Sequence, residues 1–140
     1  MENSFENSSE KRTRFTFKKE ERLTSKKIID KLFSEGSSFL SYPLKIVYSK
    51  TKLPSKSPVQ VAFTVRKRNF KRAVYRNLIK RKIRGIYRLK KHELYGVLKE
   101  DQLAVFFIFI GKEIPEYEEV NKAMERGIKK LVAEITSDKN

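Results

Sequence analysis

The sequence predicts an α+β fold, a two-layer sandwich in the order helix, two or three strands, helix, strand, helix. Three observations predict it. Tyr42, Leu44, Ile46 and Tyr48 alternate with their neighbours, as do Val59, Val61, Phe63 and Val65, and that period of two belongs to strands. Three other segments carry apolar residues at spacings of 3 and 4, the period of helices buried on one side. The run Leu103 to Ile110, LAVFFIFI, does not alternate, which suits a central strand buried on both faces. A chain of 140 residues is long enough for one domain with one core and too short for two.

The elements follow in order. Met1 to Arg14 is polar, rich in Asn and Ser and mixed in charge, the composition of a disordered tail. Arg12, Arg14, Phe15 and Phe17 then mix cations with aromatics. That mix suits stacking on bases, and equally an arm packed on the sheet. Thr24 to Glu35 reads as a helix, with Thr24 as N-cap, Leu23 and Ile28 at the staple positions and Gly36 after its last turn. Its apolar stripe is Ile28, Ile29, Leu32 and Phe33. Tyr42 to Ser49 and Val59 to Val65 are strands, and the Ser, Pro and Lys cluster from Ser49 to Pro58 reads as a hairpin loop between them. On Val59 to Val65 the second face is Gln60, Ala62 and Thr64, small and polar, a shallow surface on which an RNA strand could lie. Tyr117 to Ile135 is a helix with Tyr117, Val120, Met124, Ile128, Leu131 and Ile135 as its core stripe. Glu116, Glu118 and Glu119 at its start and Lys129 and Lys130 near its end suit the helix dipole. The domain spans residues 15–136, followed by a short tail at 137–140.

Lys71 to Arg88, KRAVYRNLIKRKIRGIYR, has the pattern of one helix with two unlike faces. At roughly 100° per residue, Arg76, Lys80, Arg84 and Arg88 form one ridge, with Asn77 and Arg81 beside it. Val74, Leu78, Ile79, Ile83 and Ile86 fill the opposite arc, bordered by Tyr75 and Tyr87, and Lys82 alone intrudes on it. The stretch contains no acid. Like charges at i,i+4 repel, so four stacked cations call for a polyanion. Gly36 to His92 holds 17 of the 33 Lys and Arg and none of the 17 Asp and Glu, while the other 83 residues hold 16 basic and 17 acidic ones. The whole net charge of +16 therefore belongs to one block, which the turn Arg66, Lys67, Arg68 and Lys71 opens. A nucleic acid backbone is the natural partner; an anionic membrane surface is the alternative.

Other classes find little support. A protein nuclease needs paired carboxylates holding metal, or a histidine acid and base. The one histidine, His92, sits at the end of the basic helix, and the acids lie outside the basic block. No phosphate loop or zinc pattern occurs. The chain lacks Cys, which fits a reducing cytoplasm. Leu103 to Ile110 is too short to span a bilayer, and no signal peptide is evident.

The run Ala73-Val74-Tyr75-Arg76-Asn77-Leu78-Ile79-Lys80-Arg81-Lys82-Ile83-Arg84 resembles the signature helix of the bacterial ribonuclease P protein subunit, A-V-x-R-N-R-x-K-R-x-x-R. Ala62 to Arg68 resembles the strand and basic turn before it, and Arg22-Leu23 through Phe33 to Gly36 the first helix. The likeness covers Phe15 to Ile135. It departs at Leu78, where the family usually has Arg, and in a turn from Val65 to Arg76 one residue longer than the common spacing.

The resemblance implies a two-layer αβββαβα sandwich with a left-handed βαβ crossover, ribosomal protein S5 domain 2-like, against the usual hand. It implies a bacterial, cytoplasmic subunit of an endonuclease that removes the 5′ leader of precursor tRNA, with the active site and its Mg2+ carried by the RNA subunit. No cofactor, catalytic residue or metal site is expected in this chain, and no membrane or obligate protein partner. The catalytic RNA would meet Arg66, Lys67, Arg68, Lys71, Arg76, Asn77, Lys80, Arg81, Arg84 and Arg88. The leader would lie in a cleft of Ile29, Phe33, Ile46, Tyr48, Gln60 and Thr64, with Ile29 standing where an aromatic is common. The alternative is a non-enzymatic binder of structured RNA, such as a ribosomal protein of similar fold.

Overall fold

The structure, a computed structural model, describes residues 17–98 and 100–137. The expected tail from Met1 to Arg14 lies outside the described residues, as do Phe15 and residues 138–140; Ser137 closes the last helix. A short 3-10 turn (Lys19–Glu21) leads to α1 (Lys26–Glu35), β1 (Ser37–Ser41), β2 (Leu44–Lys50), β3 (Val59–Val65), α2 (Ala73–Tyr95), β4 (Leu103–Phe109) and α3 (Tyr117–Ser137). The order is αβββαβα, with β1 the additional strand before the two that alternation marked.

The strands form one sheet in the order β1-β2-β4-β3. β4 is thus central, antiparallel to β2 and parallel to β3, and α2 is the crossover between the parallel pair. Gly111 and the turn after β3 are held to each other by Asn69, whose Nδ2 donates to the carbonyls of Ile110 and Gly111 at 3.4 and 3.2 Å. The Ser49 to Pro58 segment does not close a hairpin, because β4 inserts between β2 and β3.

Register divides the sheet into two faces. Phe107 of β4 lies opposite Ile46 of β2 and Phe63 of β3. This face is dry. Leu44, Val59, Val61, Val105 and Phe109 join it, covered by Ile79, Ile83, Ile86 and Tyr87 of α2 and by Val120, Met124, Ile128 and Leu131 of α3. The rings of Phe63 and Phe107 stack at 5.6 Å, with Tyr87 set 5.6 Å from each. On the other face Phe106 lies opposite Val47 and Ala62, and Ile108 opposite Lys45 and Thr64. Among the described helices only α1 covers this face; with Leu23 before it and Leu53 of the loop after β2 it buries Leu32, Val47 and Ala104, leaving Ala62, Phe106 and Ile108 half-buried. β4 is therefore not buried on both faces along its whole length.

Three local readings shift. The α1 cap is Ser25 rather than Thr24, its hydroxyl accepting from the Ile28 N–H at 3.4 Å. Gly36 is not left-handed, with φ of −73°. A Cβ there would lie 2.3 Å from the Leu32 carbonyl oxygen and 3.0 Å from that of Tyr48, so glycine is needed for the close approach of α1 to β2. At the start of α2, Val74 and Leu78 are exposed, at 65% and 42%, because sheet and α3 take up the helix only from Ile79 onward.

The segment before α1 runs along the free edge of β3, where the Leu23 N–H donates to the Val61 carbonyl at 3.0 Å. A buried ion pair fastens it. Lys91 Nζ of α2 lies 2.5 Å from Glu21 Oε1, the Tyr95 hydroxyl donates to the same oxygen at 2.9 Å, and Oε2 accepts the Lys18 N–H at 2.8 Å. Burial and the negative charge of Glu21 both raise the Tyr95 pKa, which keeps the hydroxyl protonated as a donor. Removing one member of a buried pair strands the other charge. Glu21→Ala should therefore destabilise the protein by about 3 to 5 kcal/mol in urea titrations. A loss below about 1 kcal/mol would place the pair among weak surface bridges.

Candidate nucleic-acid interface

The apolar contacts of Ile79, Ile83, Ile86 and Tyr87 fix the rotation of α2. That rotation turns Asn77, Lys80, Arg81, Arg84 and Arg88 toward the β3 edge and solvent. Asn77, Lys80, Arg81 and Arg84 line a groove of about 460 Å3, whose other wall is Phe17, Arg22, Leu23 and the outer residues of β3. A neighbouring cleft of about 330 Å3 is lined by Phe17, Arg22, Arg81, Arg84, Gly85 and Arg88. Among the described residues, none of Lys80, Arg81, Arg84 and Arg88 has a carboxylate within 4.0 Å. The ridge expected from the sequence is thus assembled and lacks counter-charges from the described protein.

Arg76 is placed differently from its neighbours. Its Nη1 donates to the carbonyls of Phe70 and Lys71, both at 2.7 Å. It closes the turn before α2, where the N-cap Arg72 offers no side-chain cap. Its guanidinium is therefore partly committed to the fold. Lys82, the intruder on the apolar arc, escapes the core by donating to the Pro115 carbonyl at 2.7 Å. Lys67, Arg68 and Lys71 are exposed and Arg66 half-buried, so the basic turn extends the ridge beyond the start of α2.

A second surface lies on the half-open sheet face. Phe33 is 51% exposed, and its ring meets Phe106 edge-on at a centroid distance of 5.0 Å. It is therefore not a core residue. Ile29 and Thr64 are half-buried on the same side. The cleft expected from the sequence needs correction at three positions. Ile46 and Tyr48 point to the dry face, and Ile46 is wholly buried, so neither shares a surface with Phe33. Gln60 faces the right way but is buried, its Nε2 donating to the Glu20 carbonyl and the Ser55 hydroxyl at 3.0 and 3.2 Å. Phe106 and Ile108 take their place, hidden in the sequence within an unbroken apolar run.

Phe17 carried two readings, base stacking or packing on the sheet, and Arg22 was not singled out as a contact. Phe17 packs on Phe63 and Tyr87 at 5.6 and 6.1 Å, so this part of the arm packs on the fold, and Arg22 sits over its ring at 5.7 Å. Arg12, Arg14 and Phe15 lie outside the described residues. Elsewhere, a cleft of about 580 Å3 beside Tyr42 and Pro43 is lined by Glu113, Glu116 and Glu119, the wrong sign for phosphate. Among the described residues, no group of three His, Asp or Glu is placed to hold a metal ion, and no helix is long and apolar enough to cross a membrane.

Comparison with known proteins gives the family of the chain. A family model described as Ribonuclease P matches residues 17–132. The ribonuclease P protein component of Porphyromonas gingivalis is 34% identical over 125 residues, spanning 88% of this chain and 91% of that protein. That of Chlorobium phaeobacteroides is 35% identical over 123 residues, spanning 79% and 84%. Among solved structures, the Thermotoga maritima RNase P protein superposes with a TM-score of 0.62 at 22% identity, covering 79% of this chain and 96% of that one. The Staphylococcus aureus RNase P protein gives 0.60 at 18%, covering 79% and 94%. These structures share the fold, and the sequence relatives and the family model carry the assignment. The chain belongs to the ribonuclease P protein family.

Proposed function

We propose that this chain, a ribonuclease P protein component, holds ribonuclease P RNA with the α2 ridge and the 5′ leader of precursor tRNA with the half-open sheet face. The observation that carries the reading is the acid-free ridge of Lys80, Arg81, Arg84 and Arg88, which has no carboxylate partner among the described residues. Point charges at helical spacing suit the phosphates of a folded RNA. Arg66, Lys67, Arg68 and Lys71 extend the contact, and Asn77 and Arg76 support it from the flank. The paired rings of Phe33 and Phe106, with Ile29, Ile108 and Thr64, suit an unpaired strand whose bases can stack.

In this reading the protein positions RNA and does not cut it. Among the described residues three acids are ion-paired away from the ridge, Glu21 with Lys91, Asp101 with Lys50, and Glu125 with Lys90 and Lys129, and Glu113, Glu116 and Glu119 line a separate cleft. The donor set of the described residues does not fit a divalent metal, and hydrolysis and its Mg2+ are assigned to the RNA partner.

The test is reconstitution with a bacterial ribonuclease P RNA and precursor tRNA at low magnesium. Arg84→Ala should impair assembly and lower the magnitude of the salt slope by about 0.7 to 0.9. Phe33→Ala should weaken binding of leader-bearing substrate by about 1 to 3 kcal/mol, leaving mature tRNA binding and assembly intact. If Phe33→Ala weakens all activities together with a large fall in melting temperature, the ring is structural. The protein without RNA should not cleave precursor tRNA in any divalent metal. RNA-free cleavage that disappears on changing one carboxylate would overturn the division of labour.

A further inference from the structure

Gly85 is the one position of the α2 cation face that carries no side chain. It stands between Arg81, Arg84 and Arg88, at i−4, i−1 and i+3, and is part of the cleft those arginines form with Phe17 and Arg22. A glycine inside a helix is unfavourable relative to alanine, so its presence asks for a reason. Self-packing among the described residues does not supply one: a Cβ built on Gly85 has none of their atoms within 4 Å, apart from its chain neighbours and the helix's own backbone. Gly36 and Gly127, by contrast, have neighbours at 2.3 and 2.5 Å and are explained by the fold.

We infer that Gly85 is the floor of a phosphate seat, where a sugar–phosphate strand of the ribonuclease P RNA crosses α2 in direct contact with the helix backbone. The inference rests on the proposed function and refines it. Three guanidiniums rise around the gap from α2 itself. Arg22 adds a fourth from the opposite wall, held over the Phe17 ring at 5.7 Å. Interior helix amides are already bonded, so glycine contributes room rather than donors. Without a Cβ the strand settles deeper, and all four arginines can reach its phosphates from the sides. The cleft is continuous with the ridge, sharing Arg81 and Arg84 with the adjoining groove. Phe33 lies across the sheet, so the strand assigned here is that of the catalytic RNA and not the leader.

The test separates stability from binding. Gly85→Ala should raise the melting temperature, because a better helix former meets no neighbour. It should also weaken binding to ribonuclease P RNA by about tenfold, the scale of one charge-assisted hydrogen bond. The salt slope should stay nearly unchanged, since no charge is removed, whereas Arg22→Ala should lower its magnitude by about 0.7 to 0.9. Gly85→Leu should weaken binding further while keeping the higher melting temperature. A raised melting temperature with unaltered RNA affinity would overturn the inference, and so would a lowered one. A loss confined to leader-bearing substrate would overturn the choice of strand. If Arg84→Ala weakens assembly while Gly85→Ala does not, only the seat fails; if both are silent, the reading of the whole ridge fails with it.

Discussion

The packing of α2 across β3 and β4 is the constraint on which the other features depend. Ile79, Ile83, Ile86 and Tyr87 are fully buried, and Tyr87 lies against the stacked rings of Phe63 and Phe107. Those contacts leave the helix one rotation about its axis. Lys80, Arg81 and Arg84 between them are thereby assigned to the outer side, with Lys82 turned to the Pro115 carbonyl instead, and repulsion along the ridge is the consequence. Hydrophobic burial is worth roughly 25 cal/mol per Å2, whereas like-charge pairs on a helix surface cost only a few tenths of a kcal/mol each. The core term wins, and the ridge, with no carboxylate partner among the described residues, is a face that a polyanion can complete. The Glu21–Lys91 pair adds the second wall by fastening Phe17 and Arg22 along the β3 edge, opposite the ridge.

The two faces of one sheet have different chemistry because they have different cover. α2 and α3 cover the first face, so Ile46 and Phe107 see no water and Phe63 is exposed only at the edge groove. α1 is only ten residues long and leaves part of the second face open at Phe106 and Ile108. An apolar face half covered by a short helix bearing an exposed ring suits flat, unpaired bases, the role proposed for it. The ridge, around the β3 edge, offers point charges instead. The acidic start of α3 lies in another part of the fold, beside Tyr42 and Pro43, where it does not compete with RNA for these cations.

Much of this was legible in the sequence. Alternation located β2 and β3, and spacings of 3 and 4 located α2 and α3 and most of their core residues. The acid-free block located the ridge. Pairing was not legible, because alternation says that two residues share a face of their own strand and nothing about the neighbouring strand. Hence Ile46 and Gln60 were placed in one cleft, although the register puts them on opposite sides of the sheet. Nor could the sequence single out Lys91 as the buried cation among so many, since its partner Glu21 lies 70 residues away. Arg76 matched the charge pattern, but its carbonyl partners arise only from the fold of the turn before α2. Phe106 and Ile108 were hidden because a central strand with one half-open face carries the same residue types as one sealed on both.

The central claim is that one sheet separates two RNA contacts. Site-specific photo-crosslinking in the assembled holoenzyme tests it most directly. A photoreactive residue is placed at Arg81 in one sample and at Phe33 in another, with precursor tRNA bound in both. The account predicts that position 81 crosslinks the ribonuclease P RNA and that position 33 crosslinks the leader. Crosslinking of both positions to the same RNA segment, or of position 81 to the leader alone, would contradict it.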